Sequence, residues 1–304
     1  MHIPNSHATR KPFLSLERKR SLSGWAFLSV AACLIIWLNF YPMVRGFIIA
    51  LHTGAGANMT LSNPIYRNFA RLFEDPQFRQ TVSTTFLYLI VQVPIMLVLA
   101  LILASMLNQP SLKGKAIFRT AIFLPCAVGL VAYALIFRQM FAHDGLINSV
   151  LISIGVFETG HNWLNSVWSA RLVIIIGLLW RWTGFATVLY LAGLQNIDRS
   201  IYEAAKIDGA GIFQQFRKIT IPLLSPIILL TAIMSTNGTL QLFDESMNLT
   251  GGRPGMSTMT MSHYIYQTAF VHSPNLSYAS AMSFAIFIFV AVLALIQIKV
   301  GDKR

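Results

Sequence analysis

Few residues in this 304-residue chain could do covalent chemistry, and their spacing excludes most of it. Gly114-Lys115 is followed by Ala116 and has Gln109 where a phosphate-binding loop needs its first glycine, so the chain cannot hydrolyse ATP itself. The seven histidines form no His-x-x-x-His pair and have no carboxylate cluster beside them, which leaves each as a loop or interface residue rather than a metal ligand. No G-x-S-x-G turn is present. Cys33 and Cys126 sit in apolar runs and read as packing residues. What remains is non-covalent recognition. Arg181 stands among Trp180, Trp182 and Tyr190, and further on Asn237, Thr239 and Gln241 precede Asp244. Aromatic faces can cover the apolar face of a sugar ring while polar groups take its hydroxyls, so Arg181, Trp182, Tyr190, Asn237 and Gln241 are candidates to line a solute path. An alternative has Arg181 off-centre beside a water-filled vestibule, paired with a helix end or a partner subunit, and polar groups within spans also hold helices together.

The elements that must position these groups are membrane helices. The chain is 55% hydrophobic and only 11% charged, with a mean hydropathy of +0.60, whereas soluble domains carry roughly 25% charged residues. A net charge of +12 could suggest nucleic acid, but the basic residues lie between apolar runs, where membrane topology accounts for them. A basic tail, 1–23, precedes a first span at 24–44, too long and too poor in small cleavage-site residues for a signal peptide. Further spans are expected at 82–106, 119–140, 172–193, 222–243 and 278–298, giving an all-α integral membrane protein with six helices. Segments 1–23, 108–119, 194–221 and 299–304 hold fifteen lysines and arginines against four in the alternate loops, so both termini should be cytoplasmic. Leu146, Ile147, Val150, Leu151 and Ile154 repeat at helical spacing with Asn148 and Ser149 opposite, as in a short amphipathic helix on the outer face, with Trp163 and Trp168 as interfacial anchors.

One polar island, Asp198 to Pro226, interrupts this pattern. Ser200 and Glu203 have capping-box spacing, and Arg199 and Glu203 can pair along one helix face. Gly209 or Gly211 can stop the helix in a left-handed conformation. A second helix then carries Phe213, Phe216 and Ile219 before Pro222 opens the next span. Glu203-Ala204-Ala205, with Gly209 three residues on and Ile219 and Ile221-Pro222 after nine more, resembles the Glu-Ala-Ala loop of permease subunits of bacterial ABC importers. The flanking Tyr202, Asp208, Ala210 and Phe216 are most similar to the maltose-type and glycerol-phosphate-type permeases of the carbohydrate-uptake branch. Ile221, Thr84, Arg253 and Ser277 depart from that pattern.

The resemblance, strongest from Gln195 to Tyr266, implies a type I importer permease core over 80–300 in the cell inner membrane. Its segment 194–221 would be a coupling loop in which Glu203, Ala204, Ala205, Asp208, Gly209, Ile219 and Pro222 meet an ATPase. It implies four partners: a second permease, a dimer of ATPase subunits that hydrolyse the ATP, an extracytoplasmic solute-binding protein, and a small sugar or polyol as cargo. No cofactor or metal is expected on the chain itself, and no nucleic acid. Two rival classes are an ion-driven secondary transporter, which needs carboxylates within its spans, and a membrane-bound enzyme, which needs a catalytic constellation; the 11 acids fall outside the spans or at their edges. The topology makes a direct prediction. Ser273→Cys should react with an impermeant thiol reagent from outside, and Gln214→Cys only after permeabilisation; reversed labelling would sink the six-span arrangement.

Overall fold

The computed structural model describes residues 16–54, 59–271 and 273–301; Arg10 and Lys11 of the basic tail, with Lys303 and Arg304, lie outside them. The chain divides into two units, 1–49 and 50–304. The first holds α1 (Leu16–Ile35), a π-helical stretch Ile36–Phe40 and most of α2 (Tyr41–Ala50). Its candidate span, Ser23–Ala50, is longer than the 24–44 expected, and its apolar side chains point outward, as suits a lipid surround.

The second unit opens with a two-stranded hairpin, β1 (His52–Thr53) against β2 (Thr60–Leu61), and α3 (Arg67–Glu74). Asn68 fastens α3 to the preceding turn, its amide donating to the carbonyls of Ala50 and His52 at 2.8 Å each. The long helices α4 (Pro76–Asn108) and α8 (Val167–Gln195) run parallel as the central pair, with α11 (Ile221–Leu240) and α13 (Leu276–Gly301) packed around them. Three apolar cores are stacked along this bundle. One joins Phe78, Leu240, Tyr278 and Met282, a second Tyr88, Tyr133, Ile174 and Leu249, and the third, at the opposite end, Ala100, Leu107, Leu194 and Leu224.

Asp75 organises one end. Its Oδ1 caps α4 by accepting from the amides of Gln77 (2.9 Å) and Phe78 (3.2 Å), while Oδ2 accepts from the hydroxyls of Tyr264 (2.9 Å) and Tyr278 (2.7 Å). Burial alone would raise this carboxyl; the bonds from Tyr278, Tyr264 and the two amides outweigh it and hold the group below the usual carboxylate range. A carboxyl lowered by folding stabilises the fold at neutral pH and loses that contribution as pH falls through its folded value.

Several expectations need correction. The run 119–140 is not one straight helix: α5 (Lys115–Ala127) and α6 (Leu130–Met140) meet at 100°, because Pro125 cannot continue the ladder and Val128 and Gly129 are extended. With that pair taken as one span there are six candidate spans among the described residues, and five without it. Pro222 does not open a span. Helical backbone runs without interruption from Ile212 to Leu240, and the wider π-helical turn at Phe216–Thr220 accommodates the proline. The short helix α7 (Leu146–Ser153) forms where expected, but its polar side is not free. Asn148 is the buried residue, its amide donating to the carbonyls of Ala142, His143 and His161 and its oxygen accepting from the His161 amide and from Trp163 Nε1 at 2.8 Å, while Leu146, Val150 and Ile154 are exposed. Trp163 is therefore a packing residue among Phe141, Phe157 and His161, and Trp168 is the exposed one. His263, expected in a loop or interface, is fully buried; Ser246 Oγ meets its Nδ1 at 2.8 Å, and burial pushes its imidazole down to about 4, leaving it uncharged at neutral pH.

The closest approach in the bundle joins α5 to α8. A Cβ on Gly184 would lie 1.9 Å from the carbonyl oxygen of Ile122, which is backbone and cannot swing aside. Gly184→Ala should therefore cost about 1–3 kcal/mol and lower the detergent-extracted protein that survives a heating series. Gly238→Ala, where nothing lies within 4 Å, should match the parent. Equal survival of all three would refute the close contact.

Candidate functional site

Two places in the structure can do work. The first is the polar loop between α8 and α11. Asp198, not Ser200, caps α9 (Arg199–Ile207): its Oδ1 accepts from the Ser200 amide at 3.0 Å, a bond that also holds the carboxyl below its ordinary range. The chain spends only its short side chain on that cap, so Glu203 is left exposed, and no ion pair joins it to Arg199. The helix stops at Gly209, whose φ of +78° is the left-handed conformation that glycine adopts at least cost. After the bend, α10 (Ile212–Gln215) begins.

Two side-chain bonds brace the loop. Gln215, itself buried, donates to the Ala210 carbonyl at 2.7 Å and so ties α10 back to the bend. The Tyr202 hydroxyl meets Thr220 Oγ1 at 3.0 Å and ties α9 to the foot of α11. On the free side the loop shows Ile207 and Ile212, each 87% exposed, and Phe213, 75% exposed, beside the exposed Glu203, Ala204, Asp208 and Gly209. Ala205 and Ile219 are half-buried, and Pro222 lies within the continuous helix. Three large apolar side chains clustered at a bend, outside any candidate core, form a surface that another protein can cover.

The second place is a cavity of about 330 Å³ inside the bundle, between α4, α8 and α11. Its volume is in the range of small-molecule sites, and its wall is mostly apolar with a few polar groups. Trp182, 41% exposed, and Gln241 both line it. Asn237 lies one turn from Gln241 and accepts a hydrogen bond from the Gln241 amide, but is outside the wall. Tyr190 is elsewhere: it is fully buried in the third core, its hydroxyl against Thr231 Oγ1 at 2.8 Å, because that face of α8 packs on α4 and α11. Trp180 also turns away, stacking on Tyr133 with ring centres 5.9 Å apart.

Arg181 is 7% exposed and sits behind the wall, on the same stripe of α8 as the wall residues Leu178 and Phe185. Its guanidinium lies 5.5 Å from the ring centres of both Tyr133 and Trp182, within cation–π reach, while Nε and Nη1 have no hydrogen-bond partner. Asp244, noted in the sequence at the end of its span, lines the wall, and two further wall residues, Gln92 and Glu245, were not singled out. Gln92 accepts from Thr239 Oγ1 at 3.1 Å and spans from α4 to α11. Asp244 and Glu245 follow the end of α11, and Glu245 is only 3% exposed. Burial pushes the Glu245 carboxyl up to about 7; its own amide and Arg181 pull the other way, and Asp244 adds to the rise. A lone amide in an apolar run and an acid just past a span's end are the signals that could have found them. Among the described residues no group of three metal-ligating side chains occurs.

Residues 69–301 match the family described as binding-protein-dependent transport system inner membrane component. The chain is 47% identical to the lactose transport system permease protein of Rhizobium radiobacter, over 95% of this chain and 97% of that one. It is 37% identical to the sulfoquinovosyl glycerol transport system permease protein of Agrobacterium fabrum, over 86% and 84%. In fold it is similar to a chain of a bacterial ABC transporter involved in the import of the acidic polysaccharide alginate, with a TM-score of 0.81, 22% identity, and 94% and 97% of the two chains covered. A match over most of the chain, together with a relative of nearly half identical residues, shows that this protein belongs to the family of binding-protein-dependent transport system inner membrane components.

Proposed function

We propose that the chain is one of two permease subunits through which an ATP-driven importer passes a small sugar or related polyol. A second permease, a pair of ATPase subunits and an extracytoplasmic solute-binding protein complete the assembly, and the ATP is hydrolysed by the partners. The observation that carries this reading is the combination, in one bundle, of a mostly apolar cavity set with a few polar groups and a braced loop that offers Ile207, Ile212 and Phe213 to a partner. The lactose permease, nearly half identical along its whole length, supports a sugar as cargo. The distribution of lysine and arginine supports a cytoplasmic position for the loop and both termini.

Mechanically, the loop works as a lever. ATP binding draws the ATPase subunits together; α9 moves with them, and the Tyr202–Thr220 and Gln215–Ala210 bonds carry that displacement into α11 without flexing the bend. Because α11 forms one wall of the cavity, its movement changes which side the cavity opens to. ATP drives the switch only through its different affinity for the two states. Trp182 offers an aromatic face to a sugar ring and Gln241 an amide to its hydroxyls.

The test is uptake per assembled complex in proteoliposomes, with ATP hydrolysis recorded beside it. Trp182→Ala should lower sugar uptake while binding-protein-stimulated hydrolysis persists, since the loop is untouched. Gly209→Ala costs about 1 kcal/mol at a positive φ and should weaken coupling modestly. Gly209→Asp brings a charge to the partner contact and should enter the membrane at near-normal level yet nearly abolish uptake. Normal ATP-driven uptake by Gly209→Asp would remove the coupling role, and unchanged uptake by Trp182→Ala would move the path elsewhere.

A further inference from the structure

The cavity wall carries two carboxylates, Asp244 and Glu245, and among the described residues that line it there is no lysine, arginine or histidine. Arg181 is close by but behind the wall, and no ion pair within 4 Å joins it to either acid. Glu245 is 3% exposed with Oε1 unpartnered, and Arg181 keeps two unpartnered nitrogens. Buried polar atoms are normally satisfied, so unmet hydrogen-bonding capacity at the edge of a cavity points to something that the cavity takes in. Most other polar groups of the wall are already engaged: Thr239 donates to Gln92, Gln92 and Ser235 reach Met96, and Thr231 is held by Tyr190 and the Ile227 carbonyl, while Gln241 gives one N–H to Asn237 and keeps the rest of its amide for a solute. The free capacity is therefore dominated by acceptors. Sugar hydroxyls are donors and suit them; a carboxylate or sulfonate on the solute offers no such donor and meets like charge in the wall.

We propose that Asp244 and Glu245 set the solute class of this permease, accepting hydrogen bonds from an uncharged polyhydroxylated sugar and refusing acidic ones. This rests on the cavity being the solute path. The test uses the assembled complex in nanodiscs without binding protein, so that the binding protein's own selectivity does not enter. Equilibrium dialysis compares radiolabelled lactose with the same disaccharide oxidised to a uronic acid. The parent complex should bind lactose at least about tenfold more tightly than the acid. The double variant Asp244→Asn with Glu245→Gln should bring that preference below about threefold, chiefly by gaining acid binding. Glu245→Gln alone, nearly isosteric, should move it in the same direction if the double variant fails to assemble. Equal binding of the two sugars by the parent, or an unchanged preference in the variants, overturns the proposal. If the parent complex binds neither sugar, the cavity is not the path and both readings fall.

Discussion

Within a bilayer core there is no water to satisfy a polar group, so every amide, carbonyl and hydroxyl at that depth must find its partner inside the protein. The arrangement of this bundle follows from that constraint. Threonine and serine hydroxyls within the spans turn back onto their own helices, as Thr187 does to the Thr183 carbonyl at 2.7 Å and Ser105 to Leu101 at 2.8 Å. Longer polar side chains bridge helices instead: Gln297 reaches from α13 to Thr236 on α11 at 2.8 Å, and Arg171 from α8 to the Ser257 carbonyl at 2.9 Å. Buried polar atoms without a partner remain at several places among the described residues, Tyr88, Thr183 and Ser277 included, and three of the residues that carry them, Arg181, Tyr133 and Glu245, come from three elements that meet beside the cavity. The same rule that makes the bundle stable makes its functional interior visible.

The two working parts obey different physics. The loop end is held by a handful of directional bonds over a short stretch of chain, which gives it shape without a core of its own. The cavity is formed by what four distant segments leave unfilled. The proposed lever needs stiffness and the proposed solute chamber needs freedom to change, and short braces at the bend and unfilled space at the centre suit those separate tasks. At the far end, Asp75 gathers α4, α12 (Met261–Tyr266) and α13 on one carboxylate, a clamp against which movement at the loop end can act.

How much of this could be read from the chain depends on the range of the interactions involved. Gly209 was legible because a helix stop is decided within a few residues, and the structure gives it the left-handed backbone that the stop requires. Asp198 displaced Ser200 as the cap because two residues only two positions apart can both do that job and only the local backbone chooses between them. Pro222 looked like a beginning, yet the π-helical turn before it absorbs the missing donor. The bonds of Asn148 were not legible in α7, since an amphipathic stripe shows that two faces differ but not which partners the neighbouring chain brings to the polar one. Tyr190 and Trp182 are eight residues apart on one helix and were indistinguishable as aromatics; only the placement of α4 and α11 buries one and leaves the other in the cavity. Glu245 was hidden for a related reason, as its burial comes from contacts with α6 and α8 across the bundle.

Two of the three tight glycines of α8, Gly177 and Gly184, differ in a way that bears on how this sequence can drift. At Gly177 an added Cβ would strike the Tyr133 hydroxyl at 2.3 Å, a side-chain atom, so a second change at position 133 can make room and the two sites can vary together. At Gly184 the obstacle is the backbone carbonyl of Ile122, which every amino acid carries. No substitution at position 122 relieves it. Position 184 is thus closed to compensated replacement while α5 and α8 keep their spacing, whereas position 177 is open to paired exchange, and a designer wishing to vary this helix has one of these doors and not the other.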